Sequence, residues 1–235
     1  MRSHGEALAR HVGPFDSFRC LTGATAPDLQ GFLWAGFRAS LAYTFRIPAG
    51  RSPDEITEGM TRTHFQKLTK ARRQGLSVTS EGDIEDLILL NRATFEKQTL
   101  TAPYPYELVR KLWAAACGQG RARLYVAKTP DGTPAAALLV VHDGKTTYQI
   151  ISGVQKGLRD VPGAYLVLWQ AAYEALSAGR AFDFEGSAIR GVEAFYRRWG
   201  ADAVPVWCIE KSDSLRGIVF QLLLNRRIAA AKNNL

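Results

Sequence analysis

Between Thr146 and Gly200 the chain reads TTYQIISGVQKGLRDVPGAYLVLWQAAYEALSAGRAFDFEGSAIRGVEAFYRRWG, and the order of elements in this stretch restricts the fold more than any other feature. Thr146 to Ser152 alternates polar residues with β-branched and aromatic ones, the period-2 pattern of a strand. The loop Gly153 to Gly163 then brings glycines, a proline and the cations Lys156 and Arg159 directly ahead of a helix. A helix start offers unpaired N–H groups and the positive dipole end, which suit a phosphate or an oxyanion. Ala164 to Ala178 is apolar on nearly every face, so this helix is expected to lie buried against a sheet. A strand over Phe182 to Phe184 and a helix over Ile189 to Trp199 complete the stretch.

In that order, the strand, the loop, the GAYLVLWQAAYEAL helix, the run Asp183-Phe184-Glu185-Gly186-Ser187 and the segment Val192 to Gly200 resemble the core of the GNAT acyltransferase superfamily. The resemblance is closest to its Fem-like branch. It implies an α/β (α+β) fold with a mixed, mostly antiparallel central sheet flanked by helices. A strand, a loop and a helix would hold the acyl donor's phosphates, and the next strand would splay away to admit the acceptor. The acyltransferase domain would span residues 51–235, with residues 1–50 an N-terminal arm or the remnant of a first GNAT-like half.

The resemblance also assigns roles. The donor cradle would be the backbone of Gly163 and Ala164, with Lys156 and Arg159 nearby and Arg197 facing a phosphate or solvent. Acyl-CoA members carry Q/R-x-x-G-x-G/A here, whereas Arg159 to Ala164 places Pro162 at the first glycine. Proline removes an N–H where pyrophosphate oxygens would need one. Fem-like relatives have a weakened loop and take the acyl group from an aminoacyl-tRNA, a co-substrate that needs no further cofactor; acyl-CoA is the alternative donor. Tyr196, in FYRRWG, matches the tyrosine that many acetyltransferases use as general acid, where several Fem-like sequences have lysine. The loop containing Tyr104 would be a wall of the acceptor pocket, or simply a proline-rich turn.

Acyl transfer to an amine needs a held donor, an oxyanion donor, a base and an acid. Asp183 and Glu185 lie two apart on the expected strand and so would share one face. Like charges on one face are solvated, paired or raised in pKa, and the last outcome yields a general base. Glu185 is the candidate base with Asp183 beside it; a salt bridge to Arg180 or Arg190 is the competing reading. Ser187 reads as a helix N-cap, since no histidine or second acid is near it in sequence.

The net charge of +8 favours a polyanionic partner such as tRNA, a nucleotide or an anionic surface. Much of it gathers in one expected helix, from the cap at Ser52-Pro53-Asp54-Glu55 to a stop at Gly75. Its second half carries Arg62, Lys67, Lys70, Arg72 and Arg73. Cations at a helix C-terminus contribute about 0.3–1 kcal/mol each, which accounts for some of them. Five exceed that need and form a candidate tRNA-binding face, against a plain solvated one. Phe65, Tyr104 and Tyr106 could stack on unpaired bases or belong to the core.

Elsewhere the pattern predicts a short helix within Asp28 to Ser40, strands over Leu41 to Ile47 and Leu76 to Ser80, and helices over Asp83 to Gln98 and Tyr106 to Cys117. Arg123 to Lys128, Pro134 to His142 and Thr146 to Ser152 form consecutive strands joined by Asp-Gly turns. Met1 to Ala26 has no clear period; Val204 to Glu210 reads as a strand and Leu215 to Lys232 as an amphipathic helix. Three scattered cysteines and isolated His64 and His142 supply no metal-ligand spacing. No apolar run reaches the roughly 18 residues of a membrane span, and no signal peptide is evident, so a cytoplasmic protein is expected. These readings converge on a transferase that moves an aminoacyl group from aminoacyl-tRNA to an amine on a cell-wall precursor or a secondary-metabolite peptide. An acyl-CoA-dependent N-acyltransferase and a non-catalytic RNA-binding module are the alternatives.

Overall fold

A computed structural model describes residues 15–23, 28–97, 101–155, 161–186, 190–217 and 219. Eight strands and seven helices of five or more residues occur among them. In chain order they are β1 (Ser17–Leu21), α1 (Gln30–Trp34), β2 (Arg38–Ile47), α2 (Pro53–Gly59), α3 (Arg62–Arg73), β3 (Ser77–Thr79), α4 (Ile84–Lys97) and α5 (Tyr106–Gly118). There follow β4 (Ala122–Lys128), β5 (Pro134–His142), β6 (Thr146–Val154), α6 (Gly163–Ser177), β7 (Ala181–Asp183), α7 (Arg190–Arg197) and β8 (Asp202–Ser212). Residues 215–217 and 219 of the expected C-terminal helix are helical, and the rest of it lies outside the described residues.

Contacts divide the chain into two compact units. One comprises residues 1–45, 186–195 and 203–235. There β8 pairs antiparallel with β1, from Ser17 opposite Ser212 to Leu21 opposite Cys208, so part of the segment without a clear sequence period is a strand.

The other unit comprises residues 46–185 and 196–202 and holds strands in the order β7-β6-β5-β4-β3. Arg46 and Ile47, the end of β2, pair antiparallel with Asp183 and Phe182. The β3-β4, β4-β5 and β5-β6 ladders are antiparallel and β6-β7 is parallel, giving the mixed, mostly antiparallel sheet flanked by helices. β5 is central, which explains its unbroken apolar run. Alternate residues of a strand face opposite sides. Leu124, Val126, Ala137, Leu139 and Ile151 form a core with Leu87 and Leu90 of α4 and Val109 of α5. On the other side Gly163 lies so close to the sheet that a Cβ would sit 3.2 Å from Ala135 and Ala136 Cβ.

The single helix expected from Ser52 to Arg73 is two. Ser52 caps α2 with a full capping box to Glu55, as the motif requires. The chain then turns extended at Met60 and Thr61, both with ψ near +150°. The break follows from packing that local sequence does not show. The Thr61 N–H donates to the Arg198 carbonyl, and Gly200, at φ +73°, abuts Gly59 so tightly that a Cβ would lie 2.6 Å from its carbonyl oxygen.

Candidate active site

β6 and β7 begin side by side and then part. Pairing is confined to Thr146 with Ala181, Thr147 with Phe182 and Tyr148 with Asp183, while β6 continues to Val154. Just beyond the last pair the β5-β6 register shifts, with Leu139 opposite Ile151 but Val140 opposite Gln149. Ile150 is therefore an extra residue, a bulge of the kind that re-aims side chains where pairing ends.

Three candidate residues gather at this point. Asp183 is the last residue of β7, its side chain 3% exposed, and Arg46 donates to its Oδ2 from Nε at 2.9 Å and from a terminal nitrogen at 2.7 Å. Its Oδ1 accepts the Glu185 backbone N–H at 2.7 Å. This corrects two sequence expectations. The strand ends before Glu185, so the two carboxylates do not share a strand face; Glu185 instead adopts φ +65°, a left-handed conformation uncommon outside glycine. The cation opposite Asp183 is Arg46, and Arg180 donates to Thr147 Oγ1 at 3.0 Å. Burial pushes the Glu185 carboxyl above the usual carboxylate range, the Asp183 charge adds to the rise, and Arg46 opposes it.

Tyr196 is 8% exposed and stacks on Phe184 with ring centroids 4.9 Å apart. Its hydroxyl accepts from Gln149 Nε2 at 3.3 Å, which ties Tyr196 to the point where the strands part. Burial raises its pKa, and Glu185 is near enough for its charge to add to the rise. A phenol so placed keeps its proton at neutral pH. The other amide atom of Gln149, Oε1, is buried with no hydrogen-bond partner among the described residues.

The donor-side candidates are only partly on view. Lys156 and Arg159 lie outside the described residues, as does Ser187. Pro162 is the N-cap residue of α6, without a side-chain cap, and Gly163 and Ala164 follow as its first turn. Gly163 thus has a packing reason for lacking a side chain. Tyr165, in the same turn, stacks on Trp199, and buried His64 meets both rings edge-on. Arg197 is exposed at the end of α7.

The basic helix α3 does not present its cations as one set. Lys70 and Arg73 line a groove of about 540 Å³ with Phe65, Gln66, Thr69 and Gln74. The Arg72 guanidinium lies 4.4 Å over the Trp169 ring. Arg62 and Lys67 are exposed but do not line the groove. Phe65 is exposed there, whereas the Tyr104 and Tyr106 hydroxyls donate to Asn91 Oδ1 and their rings pack at the α4-α5 core. The aromatics grouped by sequence thus serve two separate places. Sequence reasoning passed over Arg46, Gln149, Asn91 and Thr94. Asn91 carried a signal, a polar residue one turn beyond Leu87 on an apolar helix face. Arg46 and Gln149 carried none, because only the sheet brings them to the site.

No group of metal-ligating side chains is found among the described residues, and no described helix is long and apolar enough to cross a membrane.

The sequence profile of the acetyltransferase (GNAT) domain family matches residues 60–205, and the chain belongs to that family. No curated protein matches it. Among solved structures it is similar to FemX, with 15% identity and a TM-score of 0.67 over 94% of this chain and 80% of that one. It is also similar to the C-terminal domain of a putative lysylphosphatidylglycerol synthetase from Agrobacterium fabrum, with 13% identity and a TM-score of 0.56 over 93% and 75% of the two chains. A third similarity is to L-PGS from Bacillus licheniformis, with 12% identity and a TM-score of 0.53 over 86% and 70%. At these identities the likeness is one of fold.

Proposed function

We propose that this acyltransferase moves an aminoacyl group from aminoacyl-tRNA to an amine and forms an amide or peptide bond. The observation that carries the reading is the set of groups where β6 and β7 part: a carboxylate raised by burial, a protonated phenol and an unsatisfied amide oxygen. In the proposed reaction Glu185 takes a proton from the amine as its nitrogen attacks the ester carbonyl. The Tyr196 phenol gives its proton to the departing ribose oxygen. One C–N bond forms, one C–O bond breaks, and the net proton passes from nitrogen to oxygen. Gln149 Oε1 would accept an N–H of the incoming amine. Asp183, clamped by Arg46 and bonded to the Glu185 N–H, positions the base. Gly163 and Ala164 would face the donor with Lys156, Arg159 and Arg197.

The tRNA donor is supported by the net charge of +8, by Lys70 and Arg73 beside exposed Phe65, and by Pro162 at the donor loop. Arg62, Lys67 and Arg72 would add phosphate contacts along the same helix. The name of one similar protein, a putative lysylphosphatidylglycerol synthetase, agrees with an aminoacyl group as the one transferred and does not bear on its carrier. Incubation with charged tRNA and a panel of primary amines tests the reading. Discharge should need both enzyme and amine, and ribonuclease pretreatment should abolish the product; charged tRNA that persists with every amine would overturn it. Acyl-CoA remains the second reading, favoured by the GNAT profile itself.

A further inference from the structure

Where a strand loses its neighbour, its outward N–H and C=O groups offer an edge on which an extended, amide-bearing ligand can lie as an added strand. β6 has such an edge beyond Tyr148, because β7 leaves it there. The Gln155 N–H donates to the Ala135 carbonyl of the β5 side. Backbone direction alternates along an antiparallel strand, so Ser152 and Val154 point the other way, into the gap.

Two groups of that edge are already taken. Asn91 Nδ2 donates to the Ser152 carbonyl at 2.7 Å, and the Val154 N–H donates to Thr94 Oγ1 at 2.9 Å. The Thr94 hydroxyl is anchored in turn on the Leu90 carbonyl at 2.9 Å. Asn91 is buried and held from behind by the Tyr104 and Tyr106 hydroxyls, 3.3 and 3.1 Å from its Oδ1. α4 rests directly on the strand here, since a Cβ at Gly153 would stand 2.3 Å from the Asn91 nitrogen. Two α4 side chains thus occupy the Ser152 carbonyl and the Val154 N–H, two of the hydrogen-bonding positions that the departed strand left.

We infer that Asn91 and Thr94 are specificity-determining residues that refuse acyl carriers with an extended, amide-bearing arm, such as the pantetheine arm of coenzyme A. An arm laid along β6 would have to displace these bonds and shift Asn91, whose Oδ1 is the acceptor of the two tyrosine hydroxyls. A carrier whose acyl group sits on a compact ribose ester needs no such edge. The inference deepens the proposed aminoacyl transfer, and rests on that reading only for the donor that is accepted.

Calorimetry with acetyl-CoA and with pantetheine, on the whole protein, tests it. Wild type should show no binding of either within the detection limit, while Asn91→Ala/Thr94→Ala should bind acetyl-CoA with a Kd about tenfold or more below that limit. Thr94→Ala alone, the milder change, should show part of that gain if the double variant fails to fold. Hydrogen exchange gives a readout independent of ligand: the Val154 amide should exchange slowly in wild type and faster in Thr94→Ala, with neighbouring β5-paired amides unchanged. Binding of acetyl-CoA by wild type, no gain in any folded variant, or unchanged Val154 exchange would each overturn the inference. Discharge of charged tRNA by wild type is scored separately, so its failure would remove the aminoacyl reading and leave the edge assignment standing.

Discussion

The two halves of β6 solve the same problem in different ways. From Thr146 to Tyr148 the strand's outer edge is satisfied by β7, one backbone against another. At Ser152 and Val154 it is satisfied by Asn91 and Thr94, two side chains from a helix. Backbone pairing locks the first half and admits nothing. Side-chain pairing lets the strands diverge, and the bulge at Ile150, Gln149, Tyr196 and Glu185 lie at the divergence. The difference teaches that a sheet can open a site and still satisfy backbone groups of the parted strand, here the Ser152 carbonyl and the Val154 N–H, when a neighbouring helix supplies the partners.

Four changes would sharpen or break that contrast. Glu185→Gln should lower transfer by about 10²–10⁴-fold, the usual worth of a positioned base, with the fold retained. Because burial raises the Glu185 pKa, the folded state holds that proton more tightly than the unfolded chain. The resulting stabilisation is complete below the ordinary carboxylate pKa and is lost as pH rises through the raised value. Glu185→Gln should therefore melt higher than wild type at neutral pH and lose that advantage in acid, as thermal scans across pH would show. Arg46→Ala leaves Asp183 buried without its cation and should cost about 3–5 kcal/mol in denaturant unfolding, on the paired side of the divide. Gly153→Ala drives a methyl group into the α4 backbone and should cost about 1–3 kcal/mol by the same measurement. Charge reversal at Lys70 and Arg73 should leave stability within about 0.5 kcal/mol. It should weaken RNA binding and flatten its dependence on salt, read by fluorescence anisotropy.

What could be read from sequence was what local chemistry decides. The Ser52 cap, the Gly75 stop at φ +72°, the Asp-Gly turns and the central apolar strand β5 depend on neighbours a few residues away, and each lies where its pattern places it. The parting of the strand after the apolar helix was implied by the GNAT resemblance that the order of elements around DFEGS carries. The break between α2 and α3 was not, because it comes from Gly59 meeting Gly200. Nor was the clamp on Asp183, since Arg46 arrives from β2 across the sheet. The left-handed turn at Glu185 also escaped the period-2 argument, which assumes that the strand continues. Asn91 was visible as a misplaced polar residue, but its role depends on the edge of β6, which lies far from it in sequence.

Single-turnover discharge of aminoacyl-tRNA, followed against pH with a primary amine present, bears most directly on the claim that chemistry occurs where β6 and β7 separate. The account predicts a rate that climbs through a pKa above the ordinary carboxylate range in wild type and a flat, slow profile in Glu185→Gln. Equal rates for the two proteins, with the same pH profile, would contradict it.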